Sequence, residues 1–169
     1  MNGTNNMIAL ENHYHVECIG PDGKVKWTDE FDNLVTTVGL NDNLTQYLKG
    51  SAYTAAFYVG LTDGTPTPAA GDTMSSHAGW TEVTDYSEGT REALTLGTAA
   101  AGSIDNSASK ASYSINGTAT VGGAFVTTNS TKGGSTGTLY GVGAFTGGDK
   151  SVTSGDTLNV TVTCTAAAA

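Results

Sequence analysis

The stretch KASYSINGTATVGGAFV, residues 110–126, decides the fold class of this chain. Apolar and polar side chains alternate on both sides of Asn116-Gly117. The apolar positions are Ala111, Tyr113, Ile115, Ala119 and Val121. A period of two is typical of a strand with one buried face. Asn-Gly between two such runs is a strong hairpin signal, because both residues tolerate positive φ. The stretch therefore predicts a central antiparallel β-hairpin.

Similar patterns along the chain predict further short strands. They cover residues 13–19, 24–28, 55–61, 80–86, 93–97, 139–145 and 157–164. Pro21-Asp22-Gly23 predicts a tight turn that joins the first two strands into a hairpin. Many short strands separated by turn signals favour an all-β fold. We expect an antiparallel β-sandwich or jelly roll, with a barrel as the second choice.

Residues 40–49, LNDNLTQYLK, give the one good helix signal. Their apolar stripe consists of Leu40, Leu44, Tyr47 and Leu48, at spacings of three and four. Asn41 can cap the start, and Lys49 and Gly50 suit the end. The stripe predicts a short helix packed across one end of a sheet. Replacement of a buried Leu44 by Ala would then cost about 2–4 kcal/mol.

The length of 169 residues suits one domain with a sizeable core. We predict a polar arm at residues 1–12, one sandwich domain at 13–165 and a tail at 166–169. Residues 1–8 of the arm and a long loop at residues 62–79 are expected to contact neighbours, because neither looks necessary for the core.

The chain is acidic, with a net charge of −9 and a pI near 4.4. This argues against nucleic acid as a partner, since phosphate binding needs clustered Lys and Arg. It also disfavours an anionic membrane surface, and no apolar run reaches the roughly 18 residues of a membrane helix. The N-terminus lacks the basic and apolar regions of a secretory signal, so synthesis in the cytoplasm is expected. The acidity either keeps the surface soluble or favours docking onto a basic surface.

The two cysteines, Cys18 and Cys164, each fall on the apolar phase of a predicted strand. We expect two buried, reduced thiols. A disulfide between the first and last strands is the alternative. No His or further Cys lies at metal-ligand spacing from either residue, so no metal site is predicted there.

Several weak sequence motifs do not support a catalytic or metal-binding role. Residues 133–137 match G-x-S-x-G, but a polar loop followed by a strand is the wrong context for a nucleophile. Ser107 and Lys110 match S-x-x-K without its companion motifs. His13 and His15 share a strand face but have no third ligand. The carboxylates near the first hairpin lack a calcium-loop pattern; they are Asp22, Asp29, Glu30 and Asp32. The sequence thus predicts no enzyme and no catalytic, cofactor or metal residue.

EFDNLVTTVGL, residues 30–40, resembles the opening "F-x-N-L-V-T-x-x-G-L" of many small structural proteins of tailed bacteriophages. YVGL at 58–61, AGWTEVTDYS at 78–87 and Thr90-Arg91 resemble the pattern "AGWTEVTxYSxxTR". The similarity continues through residues 108–111 and 134–140 and spans most of residues 29–165. Glu92 stands where many such proteins have Pro.

The resemblance implies a virion structural protein that is made in the host bacterium. A capsid decoration, or cement, protein on the major capsid protein is the first expectation, with assembly as a homo-oligomer. A tail, neck or fibre component is the second. A carbohydrate-binding module with Trp27, Trp80 or Tyr86 as stacking platforms is a third, separate hypothesis. The expected partner-binding residues are Met1, Asn2, Asn5, Ile8, Thr65, Pro66, Pro68, Met74, His77 and Trp80.

Overall fold

The structure, a computed structural model, describes residues 8–48 and 56–168 and is an all-β sandwich of antiparallel sheets with one short helix. The predicted fold class is therefore confirmed. The strands are β1 (Ile8–Ile19), β2 (Val25–Asp32), β3 (Leu34–Val35), β4 (Tyr58–Asp63), β5 (Thr81–Glu82), β6 (Glu92–Ala93), β7 (Ser103–Asp105), β8 (Ala111–Ser114), β9 (Ala119–Val121), β10 (Gly123–Thr127), β11 (Leu139–Ala144), β12 (Lys150–Val152) and β13 (Thr157–Ala168). Helix α1 (Thr37–Asn43) continues into a π-helical turn, Leu44–Leu48.

The first sheet is built on β1 and β13, which pair antiparallel from Ile8↔Ala168 to Ile19↔Thr157. Strand β2 pairs with the free side of β1, and β7 and β8 share the free side of β13. Alternate side chains of the two long strands point inward. The buried ones are Tyr14, Val16, Cys18, Leu158, Val160 and Val162. The alternation in the sequence located this face correctly.

The second sheet has the order β3-β11-β10-β4-β5, with β6 also paired to β4, and β9 pairs with β12 in a separate ribbon. Val59, Leu61, Ala124 and Val126 belong to the same core cluster as the inward side chains of the first sheet. The buried Tyr113 hydroxyl of β8 donates a hydrogen bond to the Val59 carbonyl of β4, at 2.8 Å. This bond ties the two sheets together across the core.

The predicted hairpin at residues 110–126 is wrong, although both of its strands exist. β8 pairs with β13, and β9 pairs with β12, so the two runs belong to different sheets. The Ile115 amide donates to the Asp156 carbonyl, and the Asn116 amide donates to the Asp85 carbonyl. Neither Asn116 nor Gly117 has positive φ. Alternation identifies the buried face of each run but says nothing about its partner strand, which here is distant in sequence.

The first hairpin, β1–β2, is confirmed, with Gly23 at φ 76° in the turn. Its register skips Lys26 between Trp27 and Val25, so Lys26 is the extra residue of a β-bulge. A bulge re-aims the side chain that it carries. The Lys26 ammonium reaches the buried carboxylate of Asp156, 2.6 Å away. The Thr153 amide also donates to that carboxylate, at 2.8 Å.

The predicted helix is displaced toward the N-terminus. Thr36 caps it, because its hydroxyl accepts the Gly39 amide at 3.1 Å and donates to the Leu139 carbonyl. A Cβ at Gly39 would overlap the backbone of Tyr140, so glycine allows this close contact with β11. Asn41 is not the cap, and residues 49 and 50 lie outside the described residues.

The predicted apolar stripe of that helix does not pack on a sheet. Gly39 is the single buried residue among Thr37–Leu48. The four stripe residues are between 41% and 88% exposed; they are Leu40, Leu44, Tyr47 and Leu48. The prediction of a buried Leu44 is therefore wrong. The helix is held by its first turn, where a cap and a glycine replace apolar contact.

The long loop at residues 62–79 contributes to the core, which corrects the expectation that the core does not need it. Met74 and Trp80 cluster with Phe125, Leu139 and Val142 to form a second apolar core. The Phe125 ring lies over Gly60, where a Cβ would overlap it. Because Phe125 alternates with the inward-facing Ala124 and Val126, this cluster covers the outer face of the second sheet. The loop is needed to complete the fold.

The strands extend into both predicted chain ends. β1 begins at Ile8, and β13 continues to Ala168, so parts of the arm and tail are paired with each other. Both cysteines are free thiols; Cys18 is buried and Cys164 is half-buried. Their register partners are Leu158 and Asn12, so they lie far apart on neighbouring strands. The predicted reduced state is confirmed, and the alternative disulfide is wrong.

Two strands predicted between residues 80 and 97 are cut to two residues each, β5 and β6. Both pair with β4, at Asp63 and Thr62 in one case and at Val59 and Tyr58 in the other. The chain between them leaves the sheet, and the Tyr86 backbone forms an isolated bridge with Ile115.

The buried carboxylate of Asp156 allows the pH dependence of the free energy of unfolding to be tested. Burial alone would raise the pKa of its carboxyl, but the hydrogen bonds from Lys26 and Thr153 outweigh burial and lower it. A lowered pKa stabilises the fold above the unfolded value of about 3.9 and loses that contribution as pH falls through the folded value. We expect Asp156→Asn to lower the free energy of unfolding at pH 7 by about 1.5–3 kcal/mol.

Urea unfolding of both proteins, at neutral pH and at a series of pH values below about 4, measures this. The difference between wild type and Asp156→Asn should shrink as the pH falls. Asp22→Asn, at an exposed acid of the same hairpin, is the matched control and should change little. A difference that stays constant with pH would contradict the role of the ionised carboxylate.

Candidate functional site

Arg91 is the centre of the best-organised polar cluster in the described residues. Its side chain is fully buried and forms two hydrogen bonds with the Glu82 carboxylate, Nε–Oε1 at 2.9 Å and Nη2–Oε2 at 2.7 Å. Nη1 donates to the Asn129 carbonyl at 2.8 Å, and Nη2 donates to the Gly134 carbonyl at 2.6 Å. A guanidinium is suited to this geometry because its fork matches a carboxylate.

The Arg91 cluster continues into an aromatic stack. The Arg91 guanidinium carbon lies 5.2 Å from the centroid of the Phe125 ring, and the Trp80 and Phe125 ring centroids are 5.0 Å apart. His77 stacks on Trp80 at 3.7 Å. Trp80, Glu82 and Arg91 all belong to the motif at residues 78–91. These three residues of the motif therefore belong to the outer layer of the second sheet, and the ion pair of Arg91 with Glu82 helps to hold that layer.

The same cluster fastens the glycine-rich loop before β11. The Gly133 amide donates to the Glu82 carboxylate at 2.8 Å, and the Arg91 amide donates to the Ser130 carbonyl. Lys132 lies over the Tyr86 ring and donates to the Tyr86 and Glu88 carbonyls. Residues 133–137, which match G-x-S-x-G, thus form a fastened loop that leads into a strand.

The predicted partner-binding residues are scattered by the structure. Pro66, Met74 and Trp80 are buried in the folded chain, so these three side chains offer little surface to a partner. Ile8 and Thr65 are exposed, and the Thr65 hydroxyl donates to the Asp149 carboxylate at 2.6 Å. Pro68 and His77 are half-buried. Met1, Asn2 and Asn5 lie outside the described residues.

The candidate binding surface is instead the apolar helix face, defined as Leu40, Leu44, Tyr47 and Leu48. Tyr47 is 88% exposed and Leu48 is 72% exposed. Single exposed apolar side chains are ordinary, but four within one helical segment form a patch of the kind that binds partners. Asp42 is the one charged residue in this segment, and it accepts a hydrogen bond from Gln46 at 3.3 Å. The stripe was visible in the sequence, but its spacing also fitted a core-facing helix.

The aromatic platforms of the carbohydrate hypothesis are largely buried. Trp80 is 7% exposed, and Tyr86 is 1% exposed. A sugar ring stacks on an open aromatic face, which these two residues do not offer. Trp27 is half-buried against the core, with its indole nitrogen donating to the Ser151 carbonyl at 3.3 Å. The hypothesis as formulated therefore loses Trp80 and Tyr86.

Several of the residues weighed for metal binding have other partners. His13 Nδ1 lies 2.9 Å from the Asp32 carboxylate. The Asp29 carboxylate accepts the Thr146 and Gly147 amides, each at 2.9 Å. Residues 8–48 and 56–168 contain no group of three or more His, Cys, Asp or Glu side chains placed to hold a metal. Within the same ranges, no helix is long and apolar enough to cross a bilayer.

No known protein-family model matches this chain, and no curated protein shows significant similarity to it. The phage resemblance therefore depends on its quoted motifs alone and stays a prediction.

We predict that the Arg91 cluster is a major source of stability. Arg91→Met should lower the free energy of unfolding by about 3–5 kcal/mol, because it leaves the Glu82 carboxylate buried without its partner. The double variant Arg91→Met/Glu82→Gln should recover part of this loss, since no unpaired charge remains. Chemical denaturation of the single variant, the double variant and the wild type measures these differences in the free energy of unfolding.

Lys24→Ala is the control for the Arg91 variants, because it removes an exposed pair with Asp22 and should cost less than about 1 kcal/mol. Equal losses for Arg91→Met and Lys24→Ala would show that the buried pair is not special.

At the exposed helix face, in contrast, we expect a substitution to have little effect on the free energy of unfolding. Leu44→Ala should change the free energy of unfolding by less than about 0.5 kcal/mol, because its side chain is already largely in solvent. Val142→Ala, in the second apolar core, is the matched control and should cost about 1 kcal/mol or more. A loss at Leu44 as large as that at Val142 would mean that the helix stripe is covered in solution.

Proposed function

We propose that this protein is a structural component of a tailed-bacteriophage particle, a decoration protein that binds outside the major capsid lattice. It acts by adhesion and not by catalysis. The observation that carries the proposal is the apolar helix face, which holds four of the seven large apolar side chains that are exposed in the described part of this acidic chain. A patch of exposed leucines and a tyrosine is costly in water and favours burial against another protein.

The construction around the helix supports a binding role. Thr36 and Gly39 fasten the first turn to β11, and the side-chain amide of Asn43 donates a hydrogen bond to the Tyr140 hydroxyl at 2.8 Å. The helix is thus held to the second sheet by polar and backbone contacts, while its leucines are left for a partner. A surface that is already positioned loses little entropy on binding.

The charge supports a particular kind of partner. A chain with a net charge of −9 is attracted to a basic surface and repelled by an acidic one. Adhesion would combine apolar contact at the helix with this longer-range attraction. Weak single contacts become stable when a lattice repeats them and the decorating chains also contact one another.

A tail, neck or fibre component is the second candidate, supported by the same motifs. Copy number separates the two: a decoration protein occurs in hundreds of copies per particle, whereas a tail part occurs in a small multiple of three or six. Quantitative mass spectrometry of purified particles gives this number. A protein found in neither heads nor tails would overturn the proposal.

Binding by the helix face is tested with Leu44→Asp/Leu48→Asp. We expect the double variant to keep the wild-type melting temperature and to lose co-sedimentation with shells at least tenfold, since two charges would be buried at the contact. Val25→Asp, at an exposed apolar residue of the first hairpin, is the matched control. Wild-type binding by the double variant would exclude the helix face as the adhesive surface.

A further inference from the structure

A small cavity lies between the sheets at the end of the sandwich where β1 starts and β13 finishes. Its volume is about 170 Å³. Asn12 and Cys164 line it from the first sheet, and Val126 and Tyr140 line it from the second. Phe57 and Leu94 contribute further apolar surface. The walls are therefore mostly apolar, with a few polar atoms.

Asn12 is the unusual member of this lining. It is 2% exposed, and its position in β1 is in phase with the inward-facing Tyr14 and Val16. The side-chain nitrogen Nδ2 of Asn12 is buried and has no hydrogen-bond partner. A buried donor without an acceptor is unfavourable by about 1–3 kcal/mol, so most such donors in proteins are satisfied. The Asn12 amide is therefore a donor that a bound molecule can use.

The remaining polar groups of the cavity do not favour a charged ligand. The Tyr140 hydroxyl already accepts a hydrogen bond from Asn43. Burial raises the pKa of the Cys164 thiol to about 11, so it is neutral at physiological pH. No charged residue occurs in the described lining.

The cavity also has an approach from the surface. Asn43 and Phe57 line a neighbouring groove beside the helix, and Phe57 and Leu94 line another beside β6. Tyr140 is the residue skipped in the pairing of β10 with β11, so a β-bulge turns its ring toward Phe57, with the ring centroids 5.4 Å apart. The bulge thus shapes one wall of the cavity.

We propose that this cavity binds a small, neutral, largely apolar molecule of about one ring in size that carries one hydrogen-bond acceptor, and that Asn12 Nδ2 donates to that acceptor. Size sets the upper limit: cavities of about 150 Å³ accept benzene, whereas drug-sized ligands need about 300 Å³ or more. This site is separate from the apolar helix face and does not depend on the adhesive function.

Acetophenone and ethylbenzene form a matched pair of probes, because they have similar shapes and only the ketone offers an acceptor. Binding to the full chain is measured by chemical-shift titration. We expect acetophenone to bind about tenfold more tightly than ethylbenzene, the effect of one neutral hydrogen bond. Asn12→Leu keeps the size and removes the donor, so it should abolish this preference while ethylbenzene binds at least as well.

Thiol labelling supplies a second readout that needs no variant. Saturating acetophenone should slow the alkylation of Cys164, which lines the cavity. Cys18, which is buried at the far end of β1, is the internal reference. Failure of both probes to shift cavity resonances or to protect Cys164 would overturn the proposal. Equal binding of the two probes to the wild-type chain would overturn the role of Asn12.

Discussion

The pairing of β1 with β13 is the constraint on which the rest of the sandwich depends. These strands match over their full twelve residues, and β2, β7 and β8 join the first sheet only through them. Their inward side chains supply one wall of the main core. The paired residues are separated by most of the chain, so closure costs entropy before core contacts compensate for it. The second sheet lies within the intervening chain, and its inward side chains belong to the same core cluster as those of the first sheet.

The second sheet is covered on both of its faces. Ala124 and Val126 face the first sheet, whereas Phe125 faces the layer formed by Met74 and Trp80. The ion pair of Arg91 with Glu82 then fixes that layer to the loop before β11. The loop at residues 62–79 was expected to bind neighbours, but its Met74 is a core residue of this rigid outer layer. Four exposed apolar side chains lie on the helix beside the second sheet, where they would form the proposed adhesive contact.

Local pattern in the sequence was sufficient to predict the fold class, the first hairpin and the buried faces of β1 and β13. It failed where the answer depended on a distant partner. Ala111–Ser114 and Ala119–Val121 alternate as predicted, but each pairs with a strand near the C-terminus. The leucine spacing fitted a helix, yet spacing cannot tell whether a core or another protein covers it. The cavity was missed because Asn12 gave no signal among the polar residues assigned to the arm.

The free side of β13 is occupied by one interrupted strand. β7 covers Thr163–Thr165, β8 covers Thr157–Val160, and the Asn106 side chain fills the gap: it accepts the Val162 amide at 2.7 Å and donates to the Val160 carbonyl at 3.2 Å. The outer edge of the sheet is thus broken into pieces of three and four residues. Such short pieces are poor templates for a further strand. At this edge the sheet offers a neighbouring copy no long strand to extend, so close packing of many copies would not favour fibril growth from it.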